Sequence, residues 1–166
     1  MSYTGTLLME PEPERECWHE AGHAVVAHHF GIRVNGIGFT WVKGRDNEPY
    51  PSAFVHLTGS DKEAEATVLM AGSAVEILKC GDFDHNGRKK DVEKLNELHR
   101  GQPPNHYIGQ AIEILKQRDT ALRRVYEELM KAMAGKPEPQ YRDKQDHLWK
   151  QIRLNREAFQ TLMAKE

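Results

Sequence analysis

Apolar residues recur early in the chain in two rhythms. Over residues 17–30 they fall at Trp18, Ala21, Val25, Val26 and Phe30, with the small Gly22 among them. That spacing predicts an amphipathic helix, and Gly31 stands where a left-handed residue would close it. Pro11, Glu12, Pro13 and Glu14 predict a non-helical lead-in. Ile37, Phe39 and Trp41 then alternate with Gly38 and Thr40, and Ala53, Val55 and Leu57 alternate again. These runs predict two short strands, a small sheet around residues 36–57. The polar stretch 43–52 between them, with Gly44, Pro49 and Pro51, reads as a loop.

Helical spacing then takes over. Ser60 and Glu63 form a capping box, S-x-x-E, which predicts a helix over 61–79 ended by Gly81. Its apolar face holds Ala64, Val68, Leu69, Ala71, Val75 and Leu78. Residues 82–87 read as a tight polar loop, followed by a helix over 88–99 and a break at GQPPN, 101–105. One long amphipathic helix is expected over 107–133, through Ile108, Ala111, Ile112, Leu115, Leu122, Val125, Leu129 and Met133. GKPEPQ at 135–140 is a second break. A last helix is expected to carry Leu148, Trp149, Ile152, Phe159, Leu162 and Met163. The pattern predicts a mainly α, single domain over 1–166 with one small β-sheet beside the first helix and C-terminal helices over 106–164.

Composition narrows the function classes. The 166 residues suffice for one core without staples. Lys plus Arg number 23 against 25 Asp plus Glu, so no basic excess points to nucleic acid or an anionic membrane. No apolar run approaches the roughly 18–20 residues that cross a bilayer, and the opening MSYTGTLLMEPEPERE has neither a basic n-region nor a long apolar stretch. Two cysteines, Cys17 and Cys80, exclude a disulfide framework. A cytoplasmic protein is the expectation. The outlying count is nine histidines.

Two of them belong to His19-Glu20-Ala21-Gly22-His23, an H-E-x-x-H string on the first predicted helix. Positions i and i+4 lie about 40° apart around a helix and about 6 Å apart along it, so two imidazoles can reach one tetrahedral ion. Glu20 lies beside them, able to deprotonate a bound water. Zinc suits nitrogen and carboxylate donors with one open position. A solvated His/Glu face without metal would carry the same string.

Three candidates compete for third ligand. His29 copies the position of a metzincin third histidine, but Val26 stands where that pattern needs glycine. With the helix continuing, His29 lies about 9 Å further along and about 120° around, out of reach. Glu63, Glu65 or Glu76 on the next helix could serve, as helix-borne glutamates do in other H-E-x-x-H enzymes. Asp91 opens the helix after the 82–87 loop, where the helix dipole alone would favour a carboxylate.

The segment CWHEAGHAVVAHHFG resembles the zinc-binding helix of the FtsH-type ATP-dependent metalloproteases, with its HEAGHA string and apolar run. Ala71-Gly72-Ser73-Ala74-Val75-Glu76 resembles that family's A-G-R-x-A-E segment. Gly87-x-x-x-Asp91-Val92-Glu93 resembles its T-G-A-S-N-D-[LI]-E string. Order and separation agree over 16–100, which the resemblance marks as a zinc peptidase core. It implies His19, His23 and Asp91 as zinc ligands and Glu20 as general base. It also implies that the strand over 36–43 lies beside the site and pairs with extended substrate. Ser73 stands where the family usually has arginine, and Arg88-Lys89-Lys90 replaces A-S-N. No G-x-x-x-x-G-K-[ST] phosphate loop and no membrane anchor occur in the chain. The resemblance therefore implies a zinc metallopeptidase acting on unfolded proteins or peptides, with a separate ATPase or self-assembly as expected partners. The alternative expectation is a non-catalytic zinc-containing binding module, its site closed by a fourth ligand such as His85.

Asp82-x-Asp84-x-Asn86-Gly87-x5-Glu93 also fits the EF-hand calcium loop. Lys89 stands where such loops carry an apolar residue, and Arg88 and Lys90 add positive charge. The calcium reading needs Glu93 turned into the loop, whereas the zinc reading needs Asp91 turned toward the first helix.

Overall fold

The computed structural model describes residues 13–43, 49–58, 62–82, 85–98, 102–134 and 149–165. In chain order the elements are α1 (Pro13–His29), β1 (Arg33–Lys43), β2 (Pro49–Thr58), α2 (Lys62–Cys80), α3 (His85–Glu97), α4 (Pro104–Gln117), α5 (Asp119–Ala134), β3 (Trp149–Asn155) and α6 (Arg156–Met163). The protein is mainly helical with one small antiparallel sheet, as the pattern predicts. No helix among the described residues is long and apolar enough to cross a membrane.

α1 is the central element. Ala21, His23, Ala24, Val25, Val26 and Ala27 are all buried, so its middle is covered on every side. α2 packs along it, α5 packs on its N-terminal half, and the sheet lies against it chiefly through β2. Trp18 stacks on Tyr126 of α5 with ring centroids 3.6 Å apart, and the Tyr126 hydroxyl donates to Glu14 at 2.9 Å. Met70, Ala71, Ala74 and Val75 of α2, Leu115 of α4, Leu122 and Leu129 of α5, and Phe159 of α6 complete one continuous core with Val34, Ile37 and Leu154 of the sheet.

The predicted helix ends hold where glycine supplies the turn. Gly31 closes α1 with φ 77° and Gly81 closes α2 with φ 86°. Several boundaries differ from expectation. Pro13 lies inside the first turn of α1, where a missing N–H has no intrahelical acceptor to lose. β2 starts at Pro49, inside the expected loop, with Pro49 and Pro51 paired to Lys43 and Trp41. β2 is an edge strand, the position in a sheet that tolerates proline. The expected helix over 107–133 is two helices broken at Arg118, whose N–H closes α4 on the Ile114 carbonyl. Asp119 then opens α5 and holds Lys79 of α2 at 2.6 Å, a carboxylate favoured at a helix N-terminus. Ser60 of the expected capping box and the break at 135–140 lie outside the described residues.

The largest correction concerns the C-terminal segment. Trp149–Asn155 is a strand, not the start of a helix, and it pairs antiparallel with β1 from Gly36↔Asn155 to Trp41↔Trp149. The sheet order is β2-β1-β3, so β1 is central and paired on both sides. The expectation that residues 36–43 offer an edge to substrate therefore fails, because β3 occupies that edge. Asn155 ends the strand and caps α6, its side-chain oxygen accepting from the Ala158 N–H at 2.8 Å.

The close approach of α1 to α2 rests on Gly22. A Cβ there would lie 2.7 Å from Val75 Cγ1 and 3.0 Å from the Ala71 carbonyl oxygen. Gly22→Ala is therefore expected to destabilise the fold by about 1–3 kcal/mol through forced helix separation, despite alanine's better helix propensity. Urea denaturation checks this, and an unchanged or raised midpoint would contradict the packing described.

Candidate metal centre

His19 and His23 stand one turn apart on α1, with ring centroids 4.6 Å apart and planes at 77°. α2 meets them with Val68, Gly72 and Glu76, three residues at four-residue spacing on one stripe. The Val68 carbonyl oxygen accepts from His23 Nδ1 at 2.6 Å. A Glu76 carboxylate oxygen accepts from His19 Nδ1, also at 2.6 Å. Between these two anchors, Gly72 leaves the space that the His19 ring occupies. A Cβ at position 72 would overlap that ring.

These anchors decide what the other ring nitrogens present. A carbonyl or carboxylate oxygen only accepts, so each neutral ring carries its proton on Nδ1 and turns a lone pair outward from Nε2. The two Nε2 atoms face each other at 3.0 Å. Asp91 Oδ2 lies 3.2 Å from His19 Nε2 and 3.5 Å from His23 Nε2. This oxygen is shut off from solvent and accepts no well-formed hydrogen bond. With both rings neutral, three acceptor atoms thus converge on one point with no donor among them.

That triangle matches a tetrahedral ion. Ligands held about 2.0–2.1 Å from zinc lie about 3.3 Å from one another, and the three edges here are 3.0, 3.2 and 3.5 Å. The donor set of two imidazoles and a carboxylate suits zinc, and the carboxylate–imidazole contact at Glu76 is the usual outer support of a metal-bound histidine. Glu20 is adjacent: one of its carboxylate oxygens lies within 4.8 Å of a ring nitrogen of His19 and of His23. Glu20 thus offers a further ligand atom beside the two imidazoles and Asp91, and the side chain of His85 lies outside the described residues.

Electrostatics at the site follow from this crowding. Burial pulls the His19 pKa down, but contacts with Asp91 and Glu76 outweigh it and hold the pKa well above the usual histidine value. Burial pushes Asp91 up, but its contacts with both histidines win and hold it far below the usual carboxylate range. Glu20 moves the other way: burial raises it, and the nearby histidines offset only part of that shift. Without metal, a proton on His19 relieves the cluster of acceptors.

The structure thus brings together His19, Glu20, His23 and Asp91. Asp91 is six residues into α3, which begins at His85, and the first turn of α3 carries no acidic residue. The helix dipole therefore does not account for its position. His29 is remote, as its spacing implies, with Nδ1 accepting from Arg118 Nε at 3.0 Å. Glu76 meets the Nδ1 side of His19, away from the point where the two Nε2 atoms and Asp91 Oδ2 converge, Glu65 forms no hydrogen bond or ion pair with either ring, and the side chain of Glu63 lies outside the described residues. The EF-hand reading fails, because residues from the fourth loop position onward are helical and Asp82 Oδ1 is engaged by Arg15 at 2.9 Å. Sequence reasoning missed the Val68 carbonyl and the cradle at Gly72; the regular step 68, 72, 76 opposite 19 and 23 is the signal that could have found them.

A comparison with known protein families finds none that matches the chain, and no curated protein matches it.

The raised His19 pKa gives a signed prediction. In chelated protein, the stability supplied by the His19 proton is fully present below the ordinary value of 6.5 and is lost as pH rises through the raised folded value. Chelated protein should therefore gain stability as pH falls from the raised folded value toward 6.5. With zinc bound this gain should disappear, because the ion takes the place of the proton. Chemical denaturation at several pH values, with and without chelator, measures both slopes; identical slopes would contradict the assignment.

Proposed function

We propose that this chain is a zinc-dependent metallopeptidase that hydrolyses peptide bonds in unfolded proteins or peptides. The observation that carries the reading is the convergence of His19 Nε2, His23 Nε2 and Asp91 Oδ2 on one point without a donor. The adjacent Glu20 turns a metal cage into a reactive one. Resemblance to the FtsH-type peptidases over the H-E-x-x-H helix, the 71–76 segment and Asp91 supports the same four residues in the same roles. Two free thiols, Cys17 and Cys80, fit a reducing cytoplasm.

His19, His23 and Asp91 would hold the ion, which when bound would supply Lewis acidity and lower the pKa of a nearby water toward about 7. Glu20, beside both imidazoles, would act as the general base that takes a proton from the attacking water and as the acid that returns it to the departing amine. A carboxyl whose pKa is raised by burial is a stronger base toward water, and it still gives its proton up to the far more basic amine. His19 and His23 serve only as neutral donors, each fixed by its Nδ1 anchor. Asp91 supplies the negative charge that binds a dication firmly.

Two variants separate binding from turnover. Glu20→Gln is expected to retain one zinc per chain and to lose about a hundredfold or more in cleavage of a quenched, unfolded substrate. Asp91→Ala is expected to lose zinc in the presence of a mild chelator. Wild-type cleavage by Glu20→Gln, or no chelator-sensitive cleavage by the wild type on any unfolded substrate, would overturn the peptidase reading. Zinc content unchanged in Asp91→Ala would overturn the ligand set.

A further inference from the structure

Arg15 lies one helical turn before His19 on α1, on the side that faces α2. Its guanidinium donates from one terminal nitrogen to Glu76 Oε1 at 3.0 Å and to the Asp82 carbonyl oxygen at 3.2 Å. Its other terminal nitrogen donates to Asp82 Oδ1 at 2.9 Å. The other oxygen of Glu76 is the one that accepts from His19 Nδ1. Glu76 thus spends one oxygen on Arg15 and one on His19, and its side chain is 1% exposed. A buried carboxylate with two such partners has a single orientation open to it.

These three contacts of Arg15 tie together three parts of the fold. Arg15 itself is on α1, Glu76 is on α2, and Asp82 follows the Gly81 turn that leads toward α3. A planar guanidinium holds such a set in fixed geometry, whereas an ammonium holds it only as a point charge.

We infer that Arg15 is a positioning residue of the metal centre: it locks Glu76 in the orientation that fixes the His19 ring, and Asp82 holds the guanidinium in place. This rests on the zinc reading above. Arg15 touches neither metal nor substrate in this role and acts through Glu76.

The test measures zinc affinity by chelator competition in the full chain, together with the visible spectrum of the cobalt-loaded protein. Arg15→Met is expected to weaken zinc binding about 10–100-fold, the range usual for loss of support behind a metal-bound histidine. Arg15→Lys should recover part of the loss, and the cobalt spectrum of Arg15→Met should shift from that of the wild type. Glu76→Gln should weaken binding comparably, and adding Arg15→Met to it should change little further, since both act on one ring. Arg15→Met with wild-type affinity and spectrum overturns the inference, as does full additivity of the two substitutions. Should Arg15→Met fail to fold, Arg15→Lys decides alone: a shifted cobalt spectrum with weaker binding supports the role, and an unchanged spectrum and affinity overturn it. A wild type that binds no zinc overturns the metal reading itself, whereas zinc binding that ignores Arg15 overturns only this inference.

Discussion

How near α1 can come to α2 governs the rest of the molecule. Gly22 and Gly72, one on each helix, remove the side chains that would keep the helices apart. The space freed at Gly72 is filled by the His19 ring, so the close packing and the candidate metal centre are one feature. Once the helices meet at that distance, the Val68 carbonyl and Glu76 accept hydrogen bonds from the Nδ1–H groups of the two rings. The Nε2 lone pairs then face each other and Asp91 Oδ2. The interior gives these acceptors little solvent to compensate them, so a positive charge there, a proton on His19 or a bound ion, relieves them.

The H-E-x-x-H helix was legible in the sequence because its chemistry and its period are both local. Asp91 was not legible on the same terms. Residues 82–87 are rich in turn formers, which hid the fact that α3 begins at His85 and carries Asp91 two turns inward. Only the resemblance to a known peptidase family singled that residue out. Glu76 illustrates a finer limit. A glutamate on the neighbouring helix can meet a metal directly or meet the far side of its imidazole ligand, and the two outcomes differ by the width of one ring. Packing of α1 on α2, set by two glycines, decides between them.

The sheet shows where local period stops being informative. Trp149 and Ile152 are three residues apart, which suits a helix, yet the segment pairs with β1 more than a hundred residues earlier. β1 without β3 would leave a central run of unpaired backbone N–H and C=O groups, and that long-range demand outweighs a weak helical spacing. The same logic runs in reverse at β2. Two prolines argued for a loop, and the edge position admits them to a strand. The break at Arg118 escaped for a related reason: the apolar stripe continues across it, so the period carries no mark of the change in axis.

The two carboxylates nearest the imidazole pair are pushed in opposite directions. Asp91 is held ionised by the histidines, and Glu20 is raised by burial. A group locked in its charged form is a good ligand and a poor proton carrier. A group whose ionisation is moved toward neutral pH is the better carrier. When environment separates like groups in this way, it separates their roles. The motif alone offers Glu20 as a base by analogy; the opposite shifts of these two side chains are a physical reason to propose Asp91 as a ligand and Glu20 as the proton carrier.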